Sequence, residues 1–314
     1  MAVALTGRHD YAHRNYHVNA HFTLGRQLGD FLTYILLPFS CVLLPYAWGQ
    51  SLILCVAKRG WLLQARSEFA LEVALRYVAI ADRDRWLQQW RLVELMEARD
   101  LWLCVAGRAR SISKRISAES FPQPQIGLVM LGMHYGPTAI VLQMFREAGL
   151  GPRFVYRGIE AELWKLVPFQ WVYSKLNVRY IRQSCEGRDI TVPGARNKLE
   201  SALQESGTPV ILLDAPMARA GQSFRVKVLG VDTEFSGEGS QLLVERGARC
   251  VYYWMEVNAQ GERLLRFRDS NRPQTAELLI QEFAGELSAR LAGNSACWRL
   301  WHAADQFFRS QPGA

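Results

Sequence analysis

The sequence contains no C-x-x-C pair. Its six cysteines, Cys41, Cys55, Cys104, Cys185, Cys250 and Cys297, are widely scattered. That spacing argues against a structural zinc site and a disulfide scaffold, and it fits a reducing compartment. Internal repeats and low-complexity linkers are also missing, so a solenoid and a tethered tail are not indicated. The most conspicuous absence is of charge. From Phe31 to Ala57 there is no Asp, Glu, Lys, Arg or His, and Lys58 and Arg59 follow at once. No A-x-A cleavage site follows and a polar arm precedes the run, which argues against a cleaved secretory signal.

An uncharged run of this length could cross a hydrocarbon core of about 30 Å. Pro38 and Pro45 would kink such a helix and Asp30 sits at its mouth, so a re-entrant or interfacial hairpin competes with a straight span. Either form predicts a membrane-associated protein. A buried helical hairpin of an ordinary domain is the bland alternative. Orientation is poorly determined, because Arg8, Arg14 and Arg26 balance Lys58, Arg59 and Arg66 across the run.

What is present suits a sizeable core: 314 residues, 49% of them hydrophobic, with ten tryptophans. Thirty-seven basic residues stand against 29 acidic ones, a net charge of +8 that favours an anionic partner. Arg153–Lys227 alone holds twelve basic and seven acidic residues, which suits the phosphates of a lipid headgroup or of a pantetheine carrier. Nucleic acid is the competing anion. No helix-turn-helix, zinc finger or RNP-like stretch supports it, and none is expected as a partner.

Four segments follow. Residues 1–27 form a polar arm with His9, His13, His17 and His21 spaced by four. Neighbours in that series could chelate on a helix, but the drift of about 40° per step prevents all four from sharing one ion, so no metal is expected. Residues 28–60 are the anchor or hairpin, and 61–314 the main domain. Within it, 61–120 reads as helical, with Trp86, Trp90 and Val93 at helical spacing after the polar start "ADRD".

From Ile126 apolar runs alternate with amphipathic stretches. Strands are expected at 126–133, 153–157, 178–181, 209–213, 224–229, 250–256 and 263–268. Helices are expected at 138–148, 160–175, 194–205, 238–246 and 275–291. The pattern predicts an α/β fold with a mixed central sheet flanked by helices. Ligands of such sheets bind beyond the carboxyl ends of the strands. His134 follows one strand, Asp214 ends another in "PVILLDAP", and Arg157 closes a third in "RFVYRG". A base, an acid and a guanidinium are thereby expected together. Glu238 reads as a first-turn acid of its helix or as a spare carboxylate, and His302 as structural.

Taken in order, "MLGMHYGPTA", "FVYRGIEAELW", the long block from "PVILLDAP" to "VYYWM" and "CWRLWHAADQFF" carry a resemblance. The chain resembles the bacterial lipid A biosynthesis (lauroyl/myristoyl) acyltransferase family, within the wider lysophospholipid acyltransferase-like superfamily. The likeness runs from the anchor to the C-terminus and is clearest over 126–308. It implies an acyltransferase on the cytoplasmic face of the inner membrane. The donor would be acyl carrier protein or acyl-CoA, the acceptor a lipid or glycolipid, and no cofactor or metal would be needed. It also implies His134 as general base, with Tyr156, Arg157, Gly136 and Glu238 on the substrate side. The family block is His-x-x-x-x-Asp/Glu, and here Ala139 occupies the acidic position. Three outcomes stay open. Asp214 orients His134; a backbone carbonyl does so and the chemistry becomes aminoacyl transfer from a carrier; or the chain is an inactive relative that binds lipid.

Overall fold

In the computed structural model, residues 24–308 are described, apart from Glu160, Pro193, residues 216–222 and Pro273. The histidines of the arm therefore lie outside the described residues. The chain begins with helix α1 (Leu24–Phe31), a π-helical turn (Leu32–Leu36), α2 (Leu37–Leu43) and α3 (Tyr46–Arg59). Helices α4 (Gln64–Ala74), α5 (Arg83–Val105) and α6 (Ala109–Ser113) complete the helical part. The α/β part then runs β1 (Ser117–Ala118), β2 (Leu128–Gly132), α7 (Val141–Glu147), β3 (Pro152–Arg157), α8 (Pro168–Ser184), β4 (Ile190–Val192), α9 (Ala195–Gln204) and β5 (Thr208–Leu212). It ends with β6 (Ser223–Val228), β7 (Val231–Ser236), α10 (Glu238–Glu245), β8 (Arg249–Val257), β9 (Arg263–Asp269), α11 (Ala276–Asn294) and 3-10 turns over Ser295–Cys297 and Arg299–Gln306.

Seven strands form one mixed sheet in the order β1-β9-β8-β2-β5-β3-β4. The run β8-β2-β5-β3-β4 is parallel throughout, and β9 returns antiparallel to β8. Strand β2 is buried along its whole length, as a central parallel strand covered on both faces must be. The helix expected at 160–175 is instead a 3-10 turn (Ala161–Lys165) followed by α8, and two expected strands also depart. Val178–Ile181 is not a strand but the last turns of α8, where Tyr180 and Ile181 extend a buried helical stripe. Packing overrides the β-branched local preference there. The run 224–229 forms a strand, but pairs only with β7 in a separate antiparallel hairpin.

The uncharged run is likewise not one straight span. Leu44 and Pro45 take extended backbone angles and break it into a hairpin, and the π-helical turn precedes Pro38. The 14-residue α3 is about 21 Å long at 1.5 Å per residue. Among the described residues no helix is long and apolar enough to cross a membrane. The hairpin shares one continuous core with the sheet, from Leu37, Cys41 and Ile53 through Trp90 to Val129 and Trp298. Helix α5 is the pillar between them: Asp82 caps it by accepting from the Arg85 N–H (2.9 Å), and most of its side chains are buried.

One glycine is forced by this packing. Gly136 has φ +75°, and a Cβ there would collide with the Met255 carbonyl oxygen. Its N–H donates to the Cys297 carbonyl (2.8 Å), so it serves the backbone rather than offering a free donor to a ligand. Gly136→Ala should lower stability by about 2–4 kcal/mol, combining a left-handed non-glycine residue with overpacking. A urea midpoint unchanged from wild type would refute this.

Candidate active site

Strand register creates the site. Gly132 on β2 lies opposite Leu212 on β5 in a parallel pair, so the residues two further along, His134 and Asp214, emerge side by side. Leu213 prolongs the pairing by donating its N–H to the Gly132 carbonyl (3.1 Å). The Asp214 carboxylate is completely buried and accepts three hydrogen bonds. The His134 backbone N–H (2.7 Å) and the Trp298 indole N–H (2.9 Å) both reach Oδ2, and His134 Nδ1 reaches Oδ1 (2.8 Å). Because a carboxylate only accepts, Nδ1 carries the proton in this bond, and in the neutral imidazole that leaves the lone pair on Nε2. About a quarter of the His134 side chain remains accessible, and the ring forms part of a pocket wall. That is the disposition of a general base with its orienting acid.

The pocket measures about 180 Å³ and is lined by Tyr34, Arg66, Glu94, His134, Gln170, Tyr173, Ser174, Arg299, Leu300 and His302. Its far wall is an ion network rising from α5. Arg299 donates to Glu94 (2.9 Å) and Glu97 (2.7 Å), while Arg66 approaches Glu94 (4.0 Å) and hydrogen-bonds the Tyr34 hydroxyl. Burial alone would raise the Glu94 carboxyl, but Arg299 and Arg66 outweigh it and hold the group below the usual carboxylate range. Burial works against the Arg299 charge too, yet Glu97 and Glu94 leave its guanidinium above its ordinary value. His302 is open to the pocket, and its Nδ1–H donates to the Arg299 carbonyl (3.1 Å). Enclosure by the pocket wall first, and the Arg66 charge second, push its imidazole down to about 4.

The expected residues divide. His134 and Asp214 come together. Arg157, at the exposed end of β3, lines neither this pocket nor the larger one beyond α8. Tyr156 belongs to that larger pocket and donates its hydroxyl to Asp189 (2.8 Å). Glu238 opens α10, and its side chain lies outside the described residues. Ala139 donates its N–H to Glu97 Oε2 (2.9 Å), so the acid that nears this position comes from α5 and is tied to Arg299. Trp298, Glu94, Glu97 and Arg299 escaped the sequence reading. A signal existed: two glutamates three apart on the Trp-bearing helix put charge next to its core-facing stripe. Among the described residues no three His, Cys, Asp or Glu side chains converge to hold a metal.

The depressed Glu94 carboxyl sets a pH dependence. A carboxylate whose folded pKa lies below its unfolded value, about 4.3, adds stability above that value and loses it as pH falls through the folded one. Glu94→Gln should cost roughly 3–5 kcal/mol at neutral pH, the scale for breaking a buried pair. The difference from wild type should hold above the unfolded carboxylate value and shrink as pH falls through the lower folded value, where the wild-type carboxyl takes up its proton. Urea midpoints measured from pH 7 to pH 3 test this, and a constant difference would refute it.

No protein-family model matches the chain, and no curated protein matches it significantly, so the site is interpreted from its own geometry.

Proposed function

We infer that the chain is a membrane-associated acyltransferase that moves an acyl group from a thioester donor, acyl carrier protein or acyl-CoA, to a hydroxyl of a lipid or glycolipid. The observation that carries this reading is the buried Asp214 carboxylate holding His134 Nδ1 at 2.8 Å while the ring borders the pocket. In the reaction His134 Nε2 removes the proton from the acceptor hydroxyl as its oxygen attacks the thioester carbonyl carbon. The tetrahedral intermediate collapses, the carbon–sulfur bond breaks, and the departing thiolate takes the proton back from the imidazolium. Asp214 holds the tautomer and stabilises the cation that forms in between. Arg66 and Arg299 line the same pocket and are the cations nearest at hand for the developing oxyanion, although each also pairs with a glutamate.

Asp214 thereby takes the role that the acid at the Ala139 position plays in the family this chain resembles. With such an acid in place, catalytic competence is favoured over an inactive lipid-binding relative.

Membrane attachment is supported by large apolar side chains left exposed on the N-terminal helices. Leu43 is 71% and Trp48 67% exposed, and Leu28, Leu36 and Phe39 are also exposed. Trp164 and Leu166 extend this surface beside α1, where Gln27 donates to the Leu166 carbonyl (3.2 Å). The same region supplies Tyr34 and Gln170 to the pocket, so an acceptor embedded in a bilayer would meet His134 without leaving it. The cytoplasmic face of the inner membrane is the site that the family resemblance implies for such attachment.

Two outcomes test the reading. With purified protein, an acyl thioester and a lipid extract, His134→Ala and Asp214→Asn should each lower transfer by about 10³–10⁴, and the double variant no further. Full transfer by His134→Ala would remove the mechanism. Attachment is tested by flotation with anionic vesicles: the exposed pair Leu43→Asp/Trp48→Asp should reduce recovery at least about tenfold, charge at an apolar contact being costly. Wild-type protein that stays soluble without detergent and ignores vesicles would disprove attachment.

A further inference from the structure

The surplus of positive charge in Arg153–Lys227 finds its structural place on α8. Lys175, Arg179 and Arg182 are spaced by four and three residues and so share one face of that helix. All three are exposed, and all three line a second pocket of about 600 Å³ bounded by Tyr156, Gly158, Ile159, Val178, Gln183, Glu186 and Thr191. Arg157 is on the other side: alternation along β3 sends it to the sheet face opposite Tyr156.

The acids around this pocket are already engaged. Glu186 is paired with Arg188 (3.0 Å), and Asp189 accepts from Tyr156 (2.8 Å) and lies 3.7 Å from Arg182 Nε. The Lys175 ammonium sits over the Trp171 ring (5.1 Å), and among the described residues Lys175 has no carboxylate partner and Arg179 no ion pair or hydrogen bond. Like charges three and four apart on a helix are mildly destabilising, so the row itself costs the helix a little. A concave site with cations on one wall and Val178, Ile159 and the Tyr156 ring on the others suits a charged group carried on an organic body.

We propose that this second pocket binds the phosphate of an organic phosphate ester, with Lys175, Arg179 and Arg182 as its ligands. Guanidinium forks match phosphate oxygens, and the apolar wall favours an ester over the free ion. The location suggests which molecule carries it. Gln170, Tyr173 and Ser174, earlier on the same helix, line the His134 pocket. Arg182 is eight residues beyond Ser174, about 12 Å along the helix axis. A phosphate held here would tether a substrate whose far end reaches the base. That assignment to a substrate rests on the acyl-transfer reading, whereas binding of the ester does not. Two sources share the chemistry: the pantetheine phosphate of the thioester donor and the headgroup of the lipid acceptor.

Calorimetric titration of the full chain in uncharged detergent micelles tests the proposal, with inorganic phosphate, 4′-phosphopantetheine and dihexanoyl phosphatidylglycerol as probes. One ester should bind at least tenfold more tightly than inorganic phosphate. Lys175→Ala/Arg179→Ala, at exposed positions, should weaken it at least tenfold, and His134→Ala should not change it. Preference for phosphopantetheine assigns the pocket to the donor, and preference for the phospholipid assigns it to the acceptor. If neither ester outbinds inorganic phosphate, or if the double variant keeps wild-type affinity, the proposal falls. Ester binding that persists while His134→Ala retains transfer would leave this pocket standing and remove the acyl-transfer mechanism instead.

Discussion

A single carboxylate joins the parts of this molecule. Asp214 ends β5, receives both the backbone and the ring of the residue that follows β2, and is gripped from the C-terminal turns by Trp298. Buried completely, it cannot rely on water, so each of its hydrogen bonds carries the cost of leaving that charge in a poorly polar place. The neighbouring backbone reinforces the joint. Arg299 donates its N–H to the His134 carbonyl (2.9 Å), Gly136 donates to Cys297 (2.8 Å), and Tyr135 bridges Trp298. The Trp-rich tail is therefore part of the wall behind His134, and the last turns of the chain hold the base at its angle.

Charge in the helical half follows the same rule of full satisfaction. Arg99, Asp100 and Arg263 form a buried ion triad, with the Arg99 guanidinium 5.2 Å from the centre of the Tyr46 ring. Glu94, Glu97 and Arg299 repeat the arrangement nearer the pocket. Ion networks of this kind add little net stability over apolar packing, because desolvation offsets most of the attraction. What they add here is position: α5 is joined through charged side chains to α3, to β9 and to the tail, so the pocket wall and the hairpin keep one geometry relative to the sheet. Several exposed apolar residues, Leu36, Phe39, Leu43, Trp48, Trp164 and Leu166 among them, sit outside this scaffold on the N-terminal helices and the turn before α8.

How much of this was legible beforehand differs from residue to residue. Apolar runs ending in His134 and Asp214 announced two strands with chemistry at their carboxyl ends, and both strands lie within a residue or two of the expected bounds. The break at Pro45 was readable too, since proline cannot continue a helix that has lost its donor. The run Val178–Ile181 was misread because four residues with β-branched members carry no record of the helix they complete. Arg157 is expected beside His134 and Asp214 because it closes a strand. The cations that converge are on α8, and only the placement of that helix against β3 and β4 reveals it.

The sequence by itself determined much of what is local: most helices and strands, where proline and glycine interrupt them, and that a histidine and an aspartate each follow a strand. Those follow from periodicity and from backbone chemistry over a handful of residues. Only the tertiary structure decided which acid serves the base. His134 and Asp214 are 80 positions apart, and their meeting depends on the register of β2 against β5, a property of two strands and of the core that holds them. Trp298, 84 positions beyond Asp214, meets it for the same reason. The carboxylate that holds His134 thus comes from a neighbouring strand, because a hydrogen bond needs proximity in space and no proximity in sequence.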